Sequence, residues 1–197
     1  MTKQNPQVCP IFDEHAVMAQ VMSLSEPGYV KEIMFEKALK AIVVKIDFRK
    51  GSTFCYDSQD LTQTGLYKAF DTKTKTVRHF NYGQYPLYLK VRVPRIKALN
   101  NIIHLLTPTW FGYVRGFTLE YEAHILRMAQ SMPVRSISSI NNLTGDKIWK
   151  VIDTYVTMAR ALEDYSEVDA IGMDETSIRK HHKYITLFID LKKNAPS

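Results

Sequence analysis

Few side chains in this 197-residue chain are of kinds that do chemistry unaided, and their spacing narrows the options further. There are two cysteines, Cys9 and Cys55, too few for a disulfide framework and in keeping with a reducing compartment. His181 and His182 are adjacent, so in a strand or turn they point apart and do not readily share a metal. They read as surface or nucleic-acid-facing side chains. Asp174 and Glu175 are also neighbours that would face opposite ways in a strand. What the chain holds in quantity is positive charge, 26 Lys+Arg against 20 Asp+Glu. Residues 31–97 carry fourteen basic and six acidic side chains, whereas residues 98–197 carry eleven of each. A local excess of this kind is what neutralising a run of phosphates requires. A solubilising surface has the same composition, so charge alone leaves both readings open.

The elements that must position these groups are legible in outline. At 45% hydrophobic and 23% charged the chain is globular, with length for one large domain or two to three small ones. No apolar run reaches the roughly 18 residues that a membrane span needs. The first thirty residues lack the basic start and apolar stretch of a secretory signal, which makes a cytoplasmic location the expectation. A short helix is expected near residues 16–22, closed by the turn Glu26-Pro27-Gly28. Alternation follows from Ile33 to Phe48. There Ile42, Val44, Ile46 and Phe48 share one face, and Val43, Lys45 and Asp47 the other, the pattern of a half-buried strand. Residues 55–76 read as loop with at most a short strand near 67–70. After Asn81-Tyr82-Gly83, Leu87, Leu89, Val91 and Val93 alternate with Tyr88, Lys90 and Arg92. The first half is thus expected to be short antiparallel strands, with aromatic and basic side chains together on one face. Residues 105–117 are expected to be a linker.

Beyond Gly116 the period changes from two to about 3.6. Thr118 is placed to cap a helix, with Glu120 and Glu122 in its first turn and Phe117, Tyr121, Ile125, Leu126 and Met128 as its apolar stripe. Met132-Pro133 restarts the chain as a second helix with Val134, Ile137 and Ile140 inward, ending at Asn141-Asn142. Thr144 opens a third helix whose apolar face is Ile148, Val151, Ile152, Tyr155, Ala159 and Leu162, with Trp149 expected partly in the core. Two short helices and a tight turn before a third have the form of a helix-turn-helix. Thr144, Lys147 and Lys150 would then face outward on the recognition helix. A three-helix packing unit without nucleic acid has the same periodicity. The last segment returns to strand, 169–173 and 184–191, joined by a polar turn, with Asp174 at the end of the first.

Taken in order, these blocks resemble the transposases of the ISL-three family, insertion-sequence enzymes of the Asp-Asp-Glu type. Ile46-Asp47-Phe48 with Gly51-Ser52 is similar to the strand before the family's zinc-binding domain. Phe70 to Lys73, Val77 to Phe80 and Val91 to Arg95 are similar to the body of that domain. Gly116 to Leu119, Met132 to Val134 and Trp149 to Ile152 resemble its helix-turn-helix, and Gly172 to Ser177 with Tyr184 to Leu191 the opening of its catalytic domain. The resemblance implies an α+β chain in four segments. These are a lead segment (1–32), a small antiparallel β domain that is zinc-finger-like but degenerate (33–104), a linker and three-helix helix-turn-helix (105–165), and a truncated ribonuclease-H-like β hairpin (166–197).

For the site, the resemblance implies double-stranded DNA as partner, specifically terminal inverted repeats, with self-association in addition and no membrane. The expected DNA contacts are Thr144, Lys147, Lys150, Arg78, Lys90, Arg92 and Arg95. Cys55 matches a first zinc ligand, but Ser58, Ala98 and Asn101 stand where its partners would be, so no zinc is expected. Asp174 matches the first of three catalytic carboxylates that hold Mg²⁺ in a full-length relative. Its partners are absent here, so whether the chain is an enzyme stays open and no cofactor is expected in it. The polar ending 192–197 reads as truncation. Function is accordingly expected to be DNA binding by part of a transposase, or else by a domesticated or decayed remnant that regulates intact copies.

Overall fold

The computed structural model describes residues 13–22, 24, 26–164, 166, 168–179 and 183–190. His181, His182, Cys9 and the polar ending 192–197 lie outside the described residues. The chain is α+β and divides into two compact units, 1–154 and 155–197. No described helix is long and apolar enough to cross a membrane.

The first unit is built on a five-stranded sheet. Helix α1 (Glu14–Val21), capped by the Asp13 carboxylate, leads into strands β1 (Gly28–Glu36) and β2 (Ala41–Phe48). A small hairpin, β3 (Thr53–Tyr56) and β4 (Gly65–Lys68), stands apart as its own two-stranded sheet. Long strands β5 (Asp71–Tyr82) and β6 (Tyr85–Lys97) follow, and then the short β7 (Ile103–Leu105). The sheet order is β1-β2-β6-β5, with β7 also paired to β6. Gly83, at φ +59°, supplies the left-handed turn that joins β5 to β6. Val44, Ile46, Val77, Leu87, Leu89, Val91 and Val93 form the buried face, closed by Met18, Met22, Trp110 and Phe111.

Several expectations change here. The stretch 33–48 is a hairpin of two strands, and β2 is central rather than half-buried: Val43 and Val44 are both fully covered. The strands are not all antiparallel, because β2 and β6 run parallel from Ile42↔Leu87 to Ile46↔Val91. Residues 55–76 are not loop. They hold most of the β3–β4 hairpin, a 3-10 turn at Leu61–Gln63 and the first half of β5. The alternation 87–93 is as expected, with Leu87, Leu89, Val91 and Val93 each under 5% exposed.

Residues 105–117, expected as linker, are fixed in place. The Arg78 amide donates to Gly116 O (2.8 Å), and Thr118 N donates to Arg78 O (3.0 Å). The fully buried Glu122 carboxylate accepts from the amides of Tyr113 (2.9 Å) and Val114 (2.7 Å). Glu122 is thus a clamp on the loop as well as a favourable charge in a first helical turn. It needs Gly112, because a Cβ there would collide with its Oε1. Helices α2 (Leu119–Ala129), α3 (Val134–Asn141) and α4 (Gly145–Arg160) follow. Pro133 is the N-cap of α3 rather than its first residue, and Ile140 is 57% exposed rather than inward.

In the second unit, strands β8 (Ile171–Arg179) and β9 (Lys183–Asp190) make an antiparallel hairpin in register Ile171↔Asp190 to Arg179↔Lys183. Asp174 is therefore inside a nine-residue strand, opposite Leu187, and not at a strand end. Met173 and Phe188, paired across the ladder, are both exposed.

Removing the Glu122 carboxylate strands two backbone donors, one of them in a buried bond, so Glu122→Ala should lower unfolding free energy by about 3 kcal/mol. Gly112→Ala should do so in the same range by displacing that carboxylate. Urea denaturation of the two variants checks both.

Candidate nucleic-acid interface

The helical segment is assembled by specific bonds. Thr118, as expected, caps α2 through its hydroxyl, which accepts from the Tyr121 amide (3.3 Å). Asn141 closes α3 from inside, donating through Nδ2 to Ile137 O (3.0 Å) and accepting from the Tyr121 hydroxyl (3.2 Å). Asn142 takes the left-handed conformation (φ 51°, ψ 49°) that lets the chain turn sharply into α4. The Thr144 carbonyl accepts from Lys147 N and Ile148 N, which places it at the start of α4. Ile148 and Val151 are buried, while Thr144, Lys147 and Lys150 are exposed. Trp149 is 53% exposed and so belongs more to the surface than to the core.

Lys147 and Lys150 do not stand on an isolated helix. They line a cleft of about 260 Å³ whose other walls are Arg78 and Tyr88 from the sheet and Arg115 and Gly116 from the loop before α2. Arg78 is only 4% exposed. Its Nη2 donates to the Asn81 side chain and to Asn141 O (3.3 Å), and its guanidinium lies 5.1 Å from the Tyr88 ring centre and 5.5 Å from that of Tyr121. A cation over aromatic faces keeps its full charge, because a quadrupole attracts without neutralising.

The other strand cations are placed differently. Lys90 is half-buried, beside Lys45 in the β2–β6 ladder, and forms no ion pair among the described residues. Arg92 is bound to the Asp47 carboxylate and to Phe48 O (3.0 Å), with its guanidinium 4.2 Å from the Phe48 ring centre. Burial works against the Asp47 carboxylate. Bonds from the Phe48 amide, Lys31 and Arg92 outweigh it and hold the pKa below the ordinary value. Arg95 is paired with Asp71 through two nitrogens. Arg92 and Arg95 are thus paired within the fold, and of these three arginines it is Arg78 that joins the lysines of α4 at one cleft.

The donor sets for metals do not fit. Cys55 is exposed on β3, while Ser58 bonds through its amide to Thr64 Oγ1 (3.0 Å). Ala98 is buried, and Asn101 sits in a left-handed turn at φ 65°. One thiolate, a hydroxyl, a methyl and an amide are not a tetrahedral zinc set. The two loops are instead tied by Asn100 N donating to Gln63 Oε1 (3.0 Å) and by Tyr56, whose hydroxyl is 3.1 Å from His104 Nδ1. In the hairpin, Asp174 and Glu175 are both exposed, and Glu175 accepts from Thr186 Oγ1 (3.3 Å). Among the described residues no three His, Cys, Asp or Glu side chains come together.

Three helices with a tight turn between the second and third, docked on a sheet edge, define a helix-turn-helix module. Residues 107–156 match the helix-turn-helix domain of transposase family ISL3, so the resemblance read from the sequence holds over that segment. The chain is also similar to the transposase for insertion sequence element IS1557 of Mycobacterium tuberculosis, in strains CDC 1551 / Oshkosh and ATCC 25618 / H37Rv alike. Identity is 19% over 114 residues, which is 57% of this chain and 26% of the relative's length. No solved structure matches this chain.

Sequence reasoning missed Arg115, whose available signal was a basic residue in a short loop between Gly112 and Gly116. It also missed His79, the support under the Thr118 cap. His79 is 5% exposed, with Nδ1 2.8 Å from Thr118 Oγ1. Burial, aided by the Arg78 charge, pushes its pKa down to about 4. The folded state therefore resists protonation that the unfolded chain accepts near 6.5. Stability should be complete above pH 6.5 and fall by about 3 kcal/mol in total as pH drops from 6.5 to 4. Denaturation of wild type and His79→Gln across that range checks it, since the variant should lose most of the slope.

Proposed function

We propose that this chain is the DNA-binding portion of an insertion-sequence transposase and that α4 enters the duplex at its N-terminal turns. The observation that carries this reading is a coincidence of two independent features. The segment similar to a transposase helix-turn-helix is the segment whose exposed Lys147 and Lys150 converge with Arg115 and Arg78 on one cleft. A cluster of cations without carboxylate partners is what a phosphate backbone selects.

In the same reading the target is the terminal inverted repeats of the element, and the chain self-associates on them. Residues 33–104 correspond to the family's zinc-binding domain, with the zinc replaced by the Gln63–Asn100 and Tyr56–His104 ties. Residues 166–197 correspond to the first strands of a ribonuclease-H-like domain, with Asp174 as its first carboxylate. Strand cleavage is not assigned to this chain, because a two-metal mechanism needs three carboxylates together, which the described residues do not show.

Fluorescence anisotropy with an inverted-repeat duplex and a scrambled duplex, across a salt series, tests the proposal. Wild type should bind the repeat more tightly. Lys147→Ala and Lys150→Ala should each weaken binding and reduce the salt slope by about one. Affinity unchanged in both variants would remove α4 from the interface, and no binding by wild type would end the reading.

A further inference from the structure

We infer that the cleft between the sheet and α4 is a dedicated phosphate site, and that it seats one backbone phosphate of the bound duplex. The inference rests on the DNA-binding reading and deepens it by naming the ligand and the residue at the floor of the cleft.

Four cations, Arg78, Arg115, Lys147 and Lys150, line this cleft, and among the described residues no acidic side chain does. None of the four has a carboxylate partner among the described residues. Like charges gathered this way repel one another, a cost that an anion placed among them removes. The three outer cations are exposed and able to close on a ligand.

The second observation is at the floor. Arg78 is 4% exposed, yet its Nε and Nη1 are buried without a hydrogen-bond partner. Buried guanidinium nitrogens are costly to leave unbonded, and such groups are normally satisfied. Among the described residues no acceptor bonds Nε or Nη1: Asn81 and Asn141 engage Nη2, and Tyr121, whose hydroxyl also lies close to the guanidinium, already donates to Asn141. A phosphate oxygen in the cleft is the missing acceptor, and a guanidinium is the side chain best suited to it.

A duplex backbone reaches this place naturally. The Arg78 side chain touches the turn that launches α4, so a phosphate held there is held at a fixed offset from α4. Arg78 thereby sets where the helix sits along the groove, a positioning contact that carries no sequence information.

The test uses the full chain labelled with ¹⁵N. Its first arm follows the Arg78 Nε–H resonance during titration with duplex DNA, with inorganic phosphate, and with chloride at matched ionic strength. The resonance should shift saturably with DNA, more weakly with phosphate, and not with chloride. The second arm compares Arg115→Gln with Arg127→Gln, a substitution on α2 away from the cleft. Arg115→Gln should weaken DNA binding about tenfold at low salt and lower the slope by about one, while Arg127→Gln leaves both unchanged. A wild type that binds no duplex overturns the functional reading itself. Wild-type binding with an unmoved Arg78 signal and an unaffected Arg115→Gln overturns the phosphate site alone. A shift with inorganic phosphate but not with DNA assigns the cleft to a free phosphate ligand and overturns the backbone assignment.

Discussion

Arg78 joins the three-helix segment to the sheet through both its backbone and its side chain. It lies on β5, the outermost strand of its sheet path, where an amide and a carbonyl would otherwise face away from any partner. Residues 116–118 take both, so the chain just before α2 is laid along the strand as a one-residue bridge. The next residue, His79, then meets the Thr118 hydroxyl that caps α2, and the Arg78 side chain reaches the carbonyl at the end of α3. Two consecutive strand positions thus fix where α2 begins and where α3 gives way to α4. The orientation of the exposed lysines on α4 is a consequence of that junction.

The distribution of charge along the chain and its distribution in space tell different stories. Residues 31–97 carry the excess of bases, and four of those bases are paired internally, Lys31 and Arg92 with Asp47, Lys45 with Glu32 and Arg95 with Asp71, which leaves the segment's net positive charge in place. Surface pairs of this sort contribute little to stability, but they do cancel the field. The electrically balanced half supplies Arg115, Lys147 and Lys150, which have no such partners among the described residues and gather at one place. Segment totals therefore point at the sheet as the phosphate-facing surface, whereas one cluster of unneutralised cations sits where the sheet meets the helices.

What was legible in the sequence was whatever one element decides alone. The alternation of Leu87, Leu89, Val91 and Val93, the Thr118 cap and the left-handed Asn142 each follow from local sterics and burial, and each is found. The first half of β5 escaped notice because Thr72, Lys73, Thr74, Lys75 and Thr76 have no apolar face. Its β-branched threonines on alternate positions were the available signal. Parallel pairing of β2 with β6 was invisible, since both strands read as ordinary amphipathic alternation and only the assembled sheet shows them as neighbours. The site suffered most from this limit. Arg78 looked like any strand cation, and its burial depends on Tyr88, Tyr121 and Asn141, residues 10, 43 and 63 positions away.

That parallel ladder also has a kinetic meaning. The β1–β2 and β5–β6 hairpins are each local and can close within microseconds on their own, but the seam between them joins residues 42–46 to residues 87–91. Until the seam forms, each hairpin exposes one inner edge bearing Val, Ile or Leu with free backbone groups, open to pairing with a neighbouring molecule. Long-range parallel pairing is intrinsically slow, so the union of the two hairpins is the step at which folding and aggregation compete. On a ribosome, β2 must wait for β6 to be synthesised, and the helical segment, which docks on β5, can take its place only after that.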